Sequence, residues 1–279
     1  MKLENYEHSR SGQYVVALHS SASNSKQWRQ LTIDMANQHE VLACELPDYP
    51  DSDYQRCFSN NGMSAVADPI LKDIQKLGQP VHLVGHSFGG AVALKIALTQ
   101  PNLIKSLTLY EPASFHIMND DDDEDRNLFS DLKRIADTLS AETLAGRPDL
   151  GMKGFVDFWN GEGAWENLSR AAQCNLAKSA KLVASDFSCL FHETWKMKSL
   201  GCINIPTMML VGMNSPAIAQ QTAIRIAGHI DNARIEMLPN LGHMAPVFNP
   251  QCINPLIHQH IIQVEKTVHP DFLYQANAA

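Results

Sequence analysis

The stretch Gly85-His-Ser-Phe-Gly-Gly90 constrains this chain more than any other. Val81, Leu83 and Val84 make a short apolar run before it. Ala91-Val-Ala-Leu-Lys-Ile-Ala-Leu98 follows with the pattern of a helix that Pro101 ends. A strand that turns this abruptly into a helix forces unusual backbone angles on the residue at the tip. It also leaves no room for side chains two positions to either side, where Gly85 and Gly89 stand. Ser87 is thereby held out of the sheet at the foot of a helix whose dipole favours negative charge. Gly-x-Ser-x-Gly in this setting is a nucleophile elbow, and the backbone N–H of Phe88 is the natural first donor to an oxyanion.

A serine hydroxyl must lose its proton to attack a carbonyl, so a histidine has to reach it and an acidic group has to orient that histidine. Of the 12 histidines, His243 alone sits in a Gly-His loop just beyond a final strand. His229, His258 and His260 fall in helical segments, while His86 and His19 read as structural groups bonding to nearby backbone.

The rest of the chain alternates strand and helix. Strands are expected at Gln13–Leu18, Glu40–Leu46, Ile104–Tyr110, Ile205–Val211 and Ala233–Leu238. Helices are expected from Asn24 or Ser25, over Asn61–Leu77, over Ala217–Ile230 and from about Gln251 to Val264. Such alternation predicts a parallel sheet with its active residues at the carboxyl ends of the strands, which is where Ser87 and Glu111 fall. The polar loop after the first strand, His19 to Trp28, lies beside the elbow, and the N–H of Ser21 is the expected second oxyanion donor.

From Ala113 to about Leu200 the strand pattern disappears. The acidic run Asp120–Asp125 lacks the alternating ligands and glycine of a calcium loop and reads as a solvated surface loop. Helical periodicity then covers Leu128–Leu144, Met152–Trp159, Trp165–Ala184 and Phe187–Met197. The aromatic residues of this insertion serve mostly to pack it onto the sheet, with Phe155, Phe158 and Trp159 expected at a substrate pocket.

With 279 residues, 44% of them hydrophobic, the chain is long enough for one α/β domain carrying an insertion. A formal net charge of −8 argues against nucleic acid or an anionic membrane as partner. The first ten residues lack the apolar core of a signal peptide, and no apolar run is long enough to span a bilayer; both point to a cytoplasmic protein. The six cysteines are scattered without a Cys-x-x-Cys pair, so no zinc knuckle or disulfide framework is expected, and no metal or other cofactor.

Taken together, Gly85-His-Ser-Phe-Gly-Gly90, Tyr110-Glu-Pro112 and Leu241-Gly-His-Met244 resemble the α/β-hydrolase superfamily over nearly the whole chain. The resemblance implies a mostly parallel central sheet with helices on both faces. It implies a core formed by residues 1–112 and 201–279, and a helical cap over 113–200 that covers the pocket and sets substrate choice. The superfamily's extra N-terminal hairpin would be reduced or absent here. Two departures stand out. The usual His-Gly after the first strand is His19-Ser20, and the usual Gly-x-x-Asp after the penultimate strand is Gly212-Met-Asn-Ser215. With no carboxylate between Ser199 and Ile230, Glu111 becomes the expected acid, since some relatives carry the acid after that strand; Asn214 and Asp186 are weaker alternatives. The resulting expectation is a cofactor-independent serine hydrolase acting on an ester, thioester or related acyl bond of a small molecule. Carbon–carbon hydrolysis, perhydrolysis and a ligand-binding protein without turnover remain open on the same residues.

Overall fold

Val15, Val16, Ala17 and Leu18 are all completely buried, the condition of a strand inside a parallel sheet covered by helices on both faces. A computed structural model describes residues 13–50, 52, 62–119 and 122–268. Its six strands are β1 (Gln13–Leu18), β2 (His39–Cys44), β3 (Val81–His86), β4 (Ile104–Tyr110), β5 (Thr207–Gly212) and β6 (Ala233–Leu238). They form one sheet in the order β2-β1-β3-β4-β5-β6, every pair parallel. The chain moves outward from β1 to β2, then returns to the other side of β1 at β3. That reversal is where an open parallel sheet leaves a crevice beyond its carboxyl edge. The N-terminal segment, where a hairpin is expected to be reduced or absent, and Cys57 lie outside the described residues. The other five cysteines are free thiols.

Alternate residues of the inner strands feed two cores. Val15, Ala17 and Val84 face α1 (Arg29–Met35) and α9 (Pro250–Val268), which present Leu31 and the i, i+4 stripe Ile253, Ile257, Ile261. Each of those isoleucines is at most 1% exposed, and burial of such a side chain stabilises by about 1.5–3 kcal/mol. Val16, Leu18 and Leu83 face the other way, onto α2 (Ser64–Lys76), α3 (Phe88–Thr99) and α7 (Ala217–Ala227). Among the described residues no helix is long and apolar enough to cross a membrane.

Between β4 and β5 the chain is helical, with α4 (Asp123–Leu144), α5 (Pro148–Asn160) and α6 (Arg170–Phe191). Two expectations change here. The acidic run is not simply a solvated loop. The Asp122 side chain accepts from the N–H groups of Glu124 and Asp125, so Asp122 caps α4 and Asp123 to Asp125 fill its first turn, where the helix dipole favours negative charge, while Asp120 and Asp121 lie outside the described residues. Asp125 is also buried against Arg225 of α7, at 3.0 Å. The two helices expected over Trp165–Ala184 and Phe187–Met197 are instead the single α6. Ser169 starts it by accepting from the Ala172 N–H, and nothing in Asp186-Phe-Ser188 breaks it, while Trp165 sits in the preceding turn. The short α8 (Ala245–Phe248) follows the loop that carries His243.

Candidate active site

Ser87 has φ +53° and ψ −116°, a strained conformation for a residue with a side chain, held because its neighbours are small. A Cβ on Gly85 would stand 2.6 Å from the Gly89 carbonyl oxygen, and one on Gly89 would stand 2.4 Å from the carbonyl oxygens of Leu18 and His19. The strand-to-helix turn therefore closes directly against β1, and the Ser87 side chain is directed at the carboxyl edge.

Three loops converge on that edge. The Ser87 hydroxyl lies 2.9 Å from His243 Nε2, and His243 Nδ1–H donates to Glu111 Oε2 at 2.6 Å. The other oxygen, Oε1, accepts from the Gly212 N–H at 2.7 Å and from the Ser215 hydroxyl at 2.6 Å. Three donors satisfy a carboxylate with no solvent exposure, and the whole chain of bonds is buried. Glu111 itself has φ +43°, a bend that turns it out of β4 toward the loop after β5. Ser215, standing where a resembling chain carries aspartate, is thus a donor to the carboxylate rather than a substitute for it. Asn214 makes only a backbone contact there, its N–H on the Leu241 carbonyl at 2.9 Å.

The histidine loop is fixed by two further groups. The Tyr110 hydroxyl donates to the Gly242 carbonyl at 2.8 Å, and burial pushes the Tyr110 phenol well above its ordinary range, so it remains a donor. His86 Nε2–H donates to the His243 carbonyl at 2.8 Å, and its Nδ1 accepts from Gln27 at 3.2 Å. Burial first, and the neighbouring His243 second, hold His86 well below the usual histidine range, in the neutral form these two bonds require. The sequence marks His86 as structural, but the partnership with Gln27 carries no local signal.

A cavity of about 370 Å³ opens beside Ser87 and His243, and its wall includes Ser21, Phe88, Phe155 and Trp159. The N–H groups on either side of Ser21 are engaged: Ser20 donates to Gln27 Oε1 at 3.2 Å and Ala22 to the Tyr49 oxygen at 3.2 Å. Phe158 does not line the cavity. It packs edge-on against Trp159 at 4.9 Å, while the face of α5 turned to the cavity carries Phe155, Val156, Trp159 and Asn160, spaced by three and four. Trp159 also does something its spacing could not reveal. Its indole stacks on the His243 imidazole, centroids 4.1 Å apart and planes 24° apart.

Asp186, buried on α6, is far from an orienting role toward His243. Its Oδ2 accepts from the Ser21 and Tyr49 hydroxyls, each at 2.7 Å, which ties the helical segment to the loops after β1 and β2. Burial, and then the Asp186 charge, raise the Tyr49 phenol well above its ordinary value, keeping it a donor.

Comparison with known proteins agrees with the fold. A family model for the alpha/beta hydrolase fold matches residues 13–250. The uncharacterized hydrolase YugF of Bacillus subtilis is 22% identical over 267 residues, covering 89% of this chain and 88% of that protein. The human monoacylglycerol lipase ABHD6 is 21% identical over 267 residues, covering 91% of this chain and 76% of that protein. Among solved structures, MenH from S. aureus superposes with a TM-score of 0.73 at 17% identity, covering 93% of this chain and 97% of its own. A thermophilic esterase from Thermogutta terrifontis gives 0.70 at 18% identity, covering 91% and 90%. With its sheet order, its serine at the strand-to-helix turn and a family match running from the first strand into α9, the chain belongs to the alpha/beta hydrolase fold family and is a hydrolase of that fold.

Proposed function

We propose that this hydrolase cleaves an ester, thioester or related acyl bond through an acyl-enzyme, with Ser87 as nucleophile, His243 as general base and then general acid, and Glu111 as the group orienting His243. The observation that carries the reading is the unbroken run of bonds from the Ser87 hydroxyl through His243 to Glu111, at 2.9 and 2.6 Å. Nδ1 holds the proton given to Glu111, so Nε2 is free to accept the proton of Ser87 as its oxygen attacks the carbonyl. The imidazolium that forms lies between the Glu111 carboxylate and the Trp159 face, both of which favour positive charge. The N–H groups of Phe88 and Ser21 receive the oxyanion, and the dipole of α3 adds to them. His243 then returns its proton to the leaving group. Water, activated by the same nitrogen, releases the acyl group.

The helices α4 to α6 act as a cap that closes the pocket. Walls formed by Phe115, Phe155, Val156 and Phe187 suit an apolar acyl chain or ring, and the volume is toward the small end for ligand sites. Lipase and esterase are the activities named for two of the similar proteins, in accord with acyl chemistry. A fluorophosphonate probe should label Ser87 alone, and p-nitrophenyl esters of increasing acyl length should pass through an optimum in kcat/KM. A labelled residue other than Ser87 would overturn Ser87 as the nucleophile, and no labelling at all would point to a protein that binds without turnover.

Trp159 and Phe155 separate two effects within the same helix. Phe155→Ala removes wall but touches no reacting group, so it should alter the preference among acyl lengths and leave kcat for p-nitrophenyl acetate nearly unchanged. Trp159→Ala removes the ring stacked on His243 as well. An interaction of about 0.5–2 kcal/mol lost from the imidazolium state should lower kcat about 2- to 30-fold on every ester, acetate included. Trp159→Phe should recover most of it. Identical behaviour of the two alanine variants would show that the stacking contributes nothing to the chemistry.

A further inference from the structure

One cluster of metal-binding side chains stands at the opposite edge of the sheet. His39 opens β2 and His82 is the second residue of β3, so both lie at the amino end; Ser87 is five residues further along, about 16 Å of strand. The register explains why they meet. His39 pairs with Gln13 and His82 with Val15, two positions apart on β1, so both imidazoles emerge on the face covered by α9. Glu265, in the last turns of α9, reaches between them. Its Oε1 is 3.1 Å from His39 Nε2 and 3.5 Å from His82 Nε2. One donor atom from each of the three lies within 4.8 Å of the others.

We propose that His39, His82 and Glu265 form a binding site for a divalent transition metal of the zinc type, cross-linking β2, β3 and α9 at the foot of the sheet. Two imidazoles and one carboxylate are the donor set of many three-ligand zinc sites, with water as fourth ligand. Tetrahedral donors at zinc stand about 3.3 Å apart, close to the two imidazole–carboxylate separations found here. His82 supplies the decisive detail. Its side chain is completely buried, its Nδ1 is tied to the Ser106 hydroxyl at 2.7 Å, and its Nε2 has no hydrogen-bond partner among the described residues. That is the arrangement of an outer partner fixing an imidazole so that the other nitrogen faces a metal. The side chains of His39 and His82 are no more than 2% exposed and that of Glu265 24%, so the open coordination position faces outward past Glu265. The Lys105 ammonium reaches the same Glu265 oxygen at 3.9 Å; on a long stem, it withdraws when a dication takes its place. The donors come from three distant segments, so no short spacing in the sequence announces them.

The test uses the full chain, stripped with chelator and titrated calorimetrically with Zn²⁺ and by visible absorption with Co²⁺. Wild-type protein should take up one equivalent with a four-coordinate Co²⁺ spectrum, and at Zn²⁺ 100-fold above Kd its ratio of folded to unfolded molecules should rise about 100-fold. His82→Gln and Glu265→Gln should each remove that equivalent, while Ser106→Ala should weaken it about 10- to 100-fold. Fluorophosphonate labelling at the far edge checks that each variant is folded. Should His82→Gln fail to fold, the more exposed Glu265→Gln carries the comparison. No uptake by wild-type protein, or uptake of the same equivalent by folded Glu265→Gln, would overturn the site.

Discussion

Ser87→Ala should lower kcat by about four to six orders of magnitude while shifting the thermal unfolding midpoint little. The size follows from the covalent route. Without the oxygen there is no acyl-enzyme, and what remains is the catalysis that an oxyanion hole and a bound water supply. The small stability effect follows from geometry. Alanine meets the same positive φ as serine, and the single bond removed, to His243 at 2.9 Å, leaves an imidazole still held by Glu111 and by its own loop. Steady-state turnover of p-nitrophenyl butyrate and a calorimetric scan check both halves. Turnover within tenfold of wild type would exclude Ser87 as the nucleophile.

Glu111→Gln should lower kcat by about two to four orders of magnitude. The carboxylate receives three donors, and an amide has one acceptor oxygen and one NH₂. If its oxygen stays with the Gly212 N–H and the Ser215 hydroxyl, its NH₂ faces His243 Nδ1. That nitrogen must then accept, which moves the ring proton to Nε2, where it blocks transfer from Ser87. If the amide turns the other way, it sets NH₂ against two donors in a site without water. Either arrangement also removes the negative charge that balances imidazolium. Adding Ser215→Asp to Glu111→Gln should restore part of kcat, because the Ser215 side chain already reaches the acid's position at 2.6 Å from Oε1. In the wild-type background the same Ser215→Asp change should instead lower the unfolding midpoint, since it presses a second carboxylate against Glu111. An unchanged kcat in Glu111→Gln would remove Glu111 from the mechanism.

The positions that the sequence announces are those where a local rule leaves one solution. Gly85 and Gly89 frame Ser87 because a strand-to-helix turn this tight excludes side chains, and the distances of 2.6 and 2.4 Å to neighbouring backbone are that rule in three dimensions. Buried parallel strands leave apolar runs, so β1 to β5 are legible to within a few residues, and the exposed edge strand β6 shows instead the alternation of Arg234-Ile-Glu-Met237. The missing aspartate at Ser215 was equally legible, and with it the need for a carboxylate from elsewhere. Where the reading went astray, a contact decided the matter. Asp122 to Asp125 became a cap because a helix begins there, and Phe158 left the pocket because Trp159 and Phe155 took the inner face of α5.

Only the tertiary structure decided which groups meet. Glu111 follows β4 and Ser215 follows β5, and they share a carboxylate because those strands are neighbours in the sheet. Trp159 lies on His243 because α5 folds over the carboxyl edge; Asp186 lies on Ser21 and Tyr49 because α6 does the same. His39, His82 and Glu265 meet through strand register and the docking of α9. The local chain sets dihedral angles and periodicity, with a range of a few residues. Contacts across 43 to 226 positions arise only when the layers pack, and no spacing along the chain encodes them.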